Sequence, residues 1–289
     1  MYRALILLHL SIVIAGFTGV LGRFISIDAF MLVFYRTALA VGLLYLFFIW
    51  QRKTLSLTRA DIPLFAIGGV LVLHWLGFYG SIKLSNVSIG VTCLSSMAFF
   101  SAILEPLFFK RRLVMRDFVY ALIGMVGIAL IFNFETHYRA GIICGLCCAC
   151  GAALYTVLNK KYGAKAASRE RTVLIEMAGG VLTMLLLLPV YRLIVGKFDF
   201  SLGLQDFIGL FCLASVCTVG LYLLQISVLR QLSAFTVNLS YNLEPVYSII
   251  LAMIIFKENQ ELTWAFYGGL SLIILSVLLQ TWACIQAKG

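Results

Sequence analysis

Charged residues are scarce in this sequence: Asp, Glu, Lys and Arg together make up 12% of its 289 residues. Hydrophobic residues make up 62%, and the mean hydropathy is +1.03. A soluble domain needs more polar surface than this composition provides, so a soluble fold is excluded. The basic residues are spread over short segments and form no basic face, which excludes nucleic acid as a partner.

Signatures of ATP-driven pumps and of hydrolases are missing as well. The sequence has no Gly-rich phosphate loop, nucleophile elbow or histidine pair at ligand spacing. Cysteines cluster at positions 144–150, but no nearby histidine or second cysteine pair completes a soft-metal site. We therefore predict no metal, no cofactor and no enzyme activity. A membrane enzyme that modifies lipid headgroups is the weaker alternative, because its carboxylates or histidines would cluster at one membrane face, whereas here they are scattered.

Long apolar runs are what the chain has instead. Ten such runs follow one another, at residues 4–22, 30–50, 61–82, 86–108, 117–134, 140–158, 172–191, 206–228, 234–256 and 263–284. A helix of about 20 apolar residues crosses the hydrocarbon core of a bilayer. We therefore predict an all-α integral membrane protein with ten transmembrane helices. The first is expected to be uncleaved, because no convincing cleavage site follows it.

Lysine and arginine are distributed unevenly between the two sides of the predicted membrane. With the N-terminus in the cytosol, the outside segments hold Arg23, Lys83, Arg139, Arg192, Lys197 and Lys257. Arg36 falls within a predicted helix, and all the other lysines and arginines, of 22 in total, fall on inside segments. This bias follows the positive-inside rule and predicts that both termini are cytoplasmic. We expect the membrane to be the inner membrane of a bacterial cell.

One stretch of the chain occurs twice, each time as a polar break, an apolar helix and a charged turn. Leu84-Ser85 through Phe109-Lys110 returns as Leu232-Ser233 through Phe256-Lys257, at offsets of 148 and 147 residues. The repeat divides the chain into residues 1–135 and 136–289, each with five predicted helices. An odd number of spans reverses the second half in the membrane. We therefore predict two inverted five-helix repeats, an architecture typical of secondary transporters.

Glu244 is the strongest candidate for a functional residue, because it lies about halfway along the ninth predicted helix. Ser240, Tyr241 and Ser248 share its helix face. A carboxylate at membrane depth is costly, so Glu244 binds a cationic group, exchanges a proton during turnover, or only hydrogen-bonds a neighbouring helix. Pro245, the next residue, lacks a backbone donor and frees a carbonyl in the preceding turn.

Other polar and aromatic residues at membrane depth are candidates for the wall of a substrate cavity. They are His74, Trp75 and Tyr79 in the third predicted helix, Ser95 in the fourth, Tyr155 in the sixth, and Ser215, Thr218, Tyr222 and Gln225 in the eighth. His74 either titrates near neutral pH, as a second proton-coupling candidate, or is a neutral histidine bonded to a carbonyl. Arg36 either reaches the interface or pairs internally. Glu105 and Glu176 are expected to be solvated residues near helix ends.

The five-plus-five pattern and several motifs resemble the drug/metabolite transporter superfamily, specifically its EamA-like members. The motifs are Leu243-Glu244-Pro245-Val246, the Phe256-Lys257-Glu258 turn, and Arg36 within Phe34-Tyr35-Arg36-Thr37. The first repeat departs from the pattern, because Met97 and Ala98 stand where the second has Glu244 and Pro245. The resemblance implies alternating access, with substrate between helices 1, 3 and 4 of one half and 6, 8 and 9 of the other. It also implies fold-supporting roles for Arg36 and Pro245.

These observations predict a carrier that moves a small metabolite across the lipid bilayer. Aromatic residues make up 13% of the chain, and several lie near the polar candidates, which favours a substrate with an apolar body or a cation. An amino acid or related nitrogenous compound fits best, with proton coupling as an option and export favoured by the resemblance alone. The alternative is uptake of a cationic metabolite, such as a quaternary amine or an adenosyl sulfonium compound. The sequence leaves open whether two copies form a homodimer.

Overall fold

The fold is known from a computed structural model, which describes residues 2–52, 55, 57–163, 168–196, 201–241, 243–260 and 262–286. Every regular element in these ranges is helical. The α-helices are α1 (Tyr2–Phe24), α2 (Ala29–Trp50), α3 (Ile62–Leu84), α4 (Val87–Leu94), α5 (Met97–Phe109), α6 (Met115–Phe134), α7 (Arg139–Lys161), α8 (Arg169–Val195), α9 (Leu204–Ala214), α10 (Leu221–Leu229), α11 (Ala234–Tyr241), α12 (Glu244–Phe256) and α13 (Trp264–Gln286). A π-helix, Ser215–Gly220, joins α9 to α10.

Seven helical segments of the described chain are long and apolar enough to cross a membrane. They are Ala4–Phe24, Ala29–Trp50, Ile62–Leu84, Val87–Phe109, Thr136–Lys161, Arg169–Val195 and Leu204–Leu229. The other three predicted spans contain shorter apolar helices, Phe118–Asn133, Glu244–Phe256 and Trp264–Ser276. The protein is therefore a multi-pass membrane protein, and a total of ten spans stays a prediction.

The fourth and ninth predicted spans are broken at the same place, although the sequence predicts continuous helices there. The fourth consists of α4 with 8 residues and α5 with 13, and the ninth of α11 with 8 residues and α12 with 13. In the fourth span, the Ser96 hydroxyl donates to the Cys93 carbonyl at 2.7 Å and competes with the helical pattern. In the ninth, Pro245 cannot donate a helical hydrogen bond and suits the first turn of a new helix.

The contacts between helices show that the two repeats run in opposite directions, because each helix pair has a counterpart in which the repeats change places. α4 packs against α12, and α5 packs against α11. The first piece of one broken span thus meets the second piece of the other, so the two spans are antiparallel. Other contacts match under the same exchange: α3 packs on α7 as α1 packs on α10, and α6 packs on α13. Such pairing is what two inverted repeats produce.

Helix ends repeat as closely as helix breaks. Lys110 (φ 52°) and Lys257 (φ 57°) follow α5 and α12, and both adopt the left-handed conformation. This conformation costs a non-glycine residue about 1–2 kcal/mol. Its occurrence at two corresponding lysines is therefore a shared feature of the two repeats. Arg52 (φ 52°) and Gly196 (φ 80°) also have positive φ, two residues after the end of α2 and one residue after the end of α8. The two repeats therefore end α5 and α12 in the same backbone conformation.

The last helices of the two repeats, α6 and α13, cross very closely. A Cβ atom on Gly127 would lie 2.5 Å from the Gly269 carbonyl oxygen, and one on Gly269 would lie 2.6 Å from the Gly127 carbonyl oxygen. Only glycine fits at both positions. This close crossing follows the small-residue packing common between membrane helices.

Candidate functional site

A cavity of about 70 Å³ lies inside the protein, between helices of both repeats. Its wall is formed by α1, α2, α3 and the α4–α5 break of the first repeat, and by α7, α10 with its preceding π-helix, and the α11–α12 break of the second. The break residues Met97 and Glu244 both line it. The broken spans therefore present equivalent positions to one space, with a thioether on one side and a carboxyl group on the other.

Of the ten residues proposed from the sequence to bind substrate, seven line this cavity: His74, Trp75, Tyr155, Tyr222, Gln225, Tyr241 and Glu244. The other three do not. Tyr79 is fully buried behind Arg36 and accepts its hydrogen bond. Ser95 lines a separate apolar groove of about 190 Å³ between α12 and α13. The hydroxyl of Ser240 donates to the Thr236 carbonyl of its own helix at 2.9 Å.

Glu244 is the first residue of α12 and is only 4% exposed. Its carboxyl group lines the cavity and forms no hydrogen bond or salt bridge with any other described residue. An acidic group in the first turn interacts favourably with the helix dipole. That interaction is weak compared with the cost of burying an uncompensated charge. Glu244 is thus an acid available to a ligand or a proton that enters the cavity.

Arg36, on α2, also lines the cavity and is 2% exposed. Its guanidinium donates from Nε to the Thr218 hydroxyl at 2.6 Å, from Nη1 to the Tyr79 hydroxyl at 2.6 Å, and from Nη2 to the Cys217 carbonyl at 2.9 Å. The guanidinium carbon lies 3.8 Å from the centroid of the Trp75 ring. Of the two alternatives for Arg36, internal pairing is the one found. Its partners are neutral oxygens and an aromatic face.

The π-helix between α9 and α10 supplies two of the groups that hold Arg36. Within it, the Thr218 hydroxyl donates to the Leu213 carbonyl, five residues earlier, at 2.7 Å. A π-turn adds a residue to the helical repeat and is frequent at functional sites. Because of this extra residue, Ser215 does not share a helix face with Thr218, Tyr222 and Gln225, although α-helical spacing predicts that it does. The Ser215 hydroxyl bonds the Phe211 carbonyl at 2.7 Å and does not line the cavity.

Aromatic side chains connect Arg36 to the opposite wall. Trp75 donates from Nε1 to the Tyr222 hydroxyl at 3.1 Å. The Tyr222 ring meets the Tyr155 ring edge-on, with centroids 5.6 Å apart. His74 stacks on Tyr155 at 6.4 Å, and its Nδ1 lies 3.3 Å from the Leu71 carbonyl oxygen. That contact suits a neutral histidine, although His74 also lines the cavity, so both readings of this residue stay open.

Comparison with known proteins identifies the family. The model of the EamA-like transporter family matches residues 2–133 and 139–282. The chain belongs to this family. It is therefore a membrane transporter of the drug/metabolite transporter superfamily rather than a member of an enzyme family. A search of curated proteins gave no match.

The fold of this EamA-like transporter also has a counterpart among solved structures. One, described only as the crystal structure of a protein, superimposes with a TM-score of 0.69 at 15% identity. The match covers 97% of this chain and 98% of the other. At this level of identity the similarity concerns the fold alone.

Two acids of the transporter are buried, although the sequence predicts them as solvated helix-end residues. Glu176 is 0% exposed, because α8 approaches α3 so closely that a Cβ on Gly68 would lie 1.8 Å from the Glu176 carbonyl oxygen. Glu105 is 9% exposed and accepts a hydrogen bond from the Phe235 amide at 2.6 Å. Both predictions were wrong because distance from a helix end says nothing about the neighbouring helix.

Glu258, in the turn after α12, is also buried. It accepts hydrogen bonds from the Val87 amide at 3.0 Å, the Ser88 amide at 2.9 Å and the Ser88 hydroxyl at 2.6 Å, and it pairs with Arg23. Its carboxylate therefore caps the N-terminus of α4. Glu105 makes the reciprocal contact at the N-terminus of α11. Each broken span of the transporter is capped by an acid near the far end of the other.

Proposed function

We propose that this EamA-like transporter is a secondary carrier for a small zwitterionic metabolite, an amino acid or a related nitrogenous compound. The observation that carries the proposal is the pair Arg36 and Glu244. Both line the same cavity, and neither forms a salt bridge within the described part of the chain. A cavity that offers one cation and one anion is complementary to a ligand that carries both charges.

The chemistry of the two groups fits a ligand with a carboxylate and an ammonium. A guanidinium has five N–H donors, and three hydrogen bonds of Arg36 are taken by the protein. The remaining donors are available to a carboxylate, the anion that arginine binds best. The unpartnered carboxyl of Glu244 suits an ammonium, and the rings of Trp75 and Tyr222 suit an apolar side chain.

Alternating access and proton coupling complete the proposal. The broken spans of both repeats meet at the cavity, and rocking of inverted repeats about a central site exposes it to each side in turn. In the absence of substrate, a proton on Glu244 replaces the ammonium as its neutralising partner. His74 is the second candidate for this proton. Export from the cytoplasm across a bacterial inner membrane is the proposed direction.

Exchange in proteoliposomes tests the proposal with matched sets of compounds. Each set contains an amino acid, the amine left by removal of its carboxyl group, and the acid left by removal of its amino group. We expect the amino acid to exchange and the other two to compete poorly, since each lacks one charge. Faster exchange of quaternary amines or sulfonium compounds would favour the cationic-metabolite alternative. No exchange for any compound would contradict the proposed function.

A further inference from the structure

We infer that Glu176 is a second proton-binding site, separate from Glu244 and linked to the central cavity by Tyr155. The inference rests on the proposed function, because it assigns to this carboxyl group a second proton of the transport cycle. Glu176 lies on α8, outside the set of residues that line the cavity.

The link to the cavity is a single hydrogen bond. The Tyr155 hydroxyl donates to Oε2 of Glu176 at 2.9 Å. Tyr155 itself is 2% exposed, lines the cavity, and contacts Tyr222 and His74 through its ring. The Tyr155 hydroxyl stabilises the carboxylate form of Glu176, and a substrate that binds against Tyr155 alters this hydrogen bond. Occupancy of the cavity and protonation of Glu176 are therefore linked.

The other carboxyl oxygen, Oε1, lies beside Asn159. Oε1 and both polar atoms of the Asn159 side chain are buried and form no hydrogen bond of regular geometry among the described residues. A Cβ atom on Gly163, just beyond the end of α7, would lie 3.3 Å from Oε1. Glu176 therefore lies between the cavity wall and the end of a membrane-spanning helix. That position suits a group which receives a proton from one side and releases it to the other.

Among the residues that the structure describes, the surroundings of Glu176 provide no cation to balance its charge. α7 contributes Tyr155 and Asn159, which are neutral, and α3 packs against this part of α8 through Gly68. α2 contributes Thr37, beside Gly180. An ionised carboxylate in such a place is uncompensated, and uptake of one proton converts it to a neutral acid. A metal ion would need more oxygen ligands than this carboxyl and one amide supply.

Glu176 occupies the same position in its helix as Arg36 does in the corresponding helix of the first repeat. Glu176 lies seven residues after Arg169, the first residue of α8, and Arg36 lies seven residues after Ala29, the first residue of α2. These helices are the second in their repeats. Arg36 bonds Tyr79 and Glu176 bonds Tyr155. One scaffold position thus holds a buried cation in one half and a buried acid in the other, each bonded to a tyrosine hydroxyl.

Glu176→Gln in proteoliposomes with a trapped pH-sensitive dye tests the inference. Two rates are measured: substrate exchange at equal pH on both sides, and accumulation driven by a pH gradient with the accompanying proton flux. We expect the variant to keep exchange and to lose part of both accumulation and proton flux, since Glu244 still exchanges its own proton. Glu135→Gln is the matched control, because it removes another buried acid, which bonds Thr263 near the ends of α6 and α13 and not at the cavity wall, and it should keep both. Tyr155→Phe should weaken accumulation more than exchange. This variant tests the inference if Glu176→Gln does not fold.

Accumulation and proton flux at the wild-type level in Glu176→Gln would overturn the inference, and so would a driving force supplied by sodium instead of protons. Failure of the proposed function is a different result, in which the wild type exchanges no compound. The proton site is then decided in detergent by infrared difference spectroscopy during a pH titration. A signal from a protonated carboxyl group that Glu176→Gln removes supports the site, and identical spectra for wild type and variant refute it.

Discussion

Arg171 donates two hydrogen bonds to Asp61, from Nη1 to Oδ1 at 2.7 Å and from Nη2 to Oδ2 at 2.6 Å. Asp61 immediately precedes α3, and Arg171 lies in the first turn of α8. The paired geometry is the strongest form of a carboxylate–guanidinium contact. Together with hydrogen bonds from Thr58, it lowers the pKa of Asp61 from 3.8 to about 2. The pair ties the starts of two helices from different repeats.

The Asp61 pair should make stability depend on pH in acid. The pKa of Asp61 is lower in the folded protein than in the unfolded chain, so its contribution is present above 3.8 and is lost as the pH falls toward about 2. Asp61→Asn should lower the free energy of unfolding by about 1–2 kcal/mol at neutral pH. The difference from wild type should shrink below about pH 4. Thermal unfolding in detergent over a pH series measures it, and a difference that stays constant into acid would contradict the ion-pair account.

Glu244→Gln should weaken binding of a zwitterionic substrate by about 10- to 100-fold, because a neutral amide replaces the charge opposite the ammonium. Competition in the exchange assay measures the effect. Glu135→Gln is a suitable control: this acid is also buried, but it bonds Thr263 near the ends of α6 and α13. Equal affinities for wild type and Glu244→Gln would remove Glu244 from the binding site.

Arg36→Lys should discriminate between compounds. Lysine keeps the charge but cannot form the same fork of hydrogen bonds, so we expect the amino acid to lose affinity by about tenfold while the matching amine changes little. Tyr79→Phe is the companion variant, since it removes only one acceptor of Arg36. It should lower the free energy of unfolding by about 1–3 kcal/mol through the unpaired buried donor. An equal loss for amino acid and amine in Arg36→Lys would make Arg36 purely structural.

Glu258→Gln should destabilise the protein by about 1–3 kcal/mol. The side-chain NH2 group of glutamine would face other donors, the backbone amides of Val87 and Ser88 and the Arg23 guanidinium. Urea or thermal unfolding in detergent gives the value. Asn259→Ala, at the exposed neighbouring position, should stay within about 0.5 kcal/mol of wild type. A Glu258→Gln variant as stable as Asn259→Ala would mean that the cap of α4 contributes little.

The scaffold was largely predictable because its signals are local. Apolar runs identify membrane helices, and the matched Phe-Lys turns at Lys110 and Lys257 revealed a repeat that the family match now confirms. Pro245 marks a weak point in the ninth span, although the break itself was not predicted. The burial of Glu176 was out of reach, because it depends on the close approach of α3 at Gly68, more than a hundred residues earlier. The π-helix was missed for a related reason: α-helical spacing was assumed at Ser215.

The reciprocal carboxylate caps have a consequence for the order in which the protein is made. Glu258 caps the amides of Val87 and Ser88, which are separated from it by 171 and 170 residues. Membrane insertion proceeds from the N-terminus, so α4 enters the bilayer long before its capping acid is synthesised. Until α12 arrives, the exposed amides of α4 must be satisfied by water or lipid headgroups. The N-terminus of α4 therefore gains its carboxylate cap only after Glu258 has been synthesised, near the end of translation.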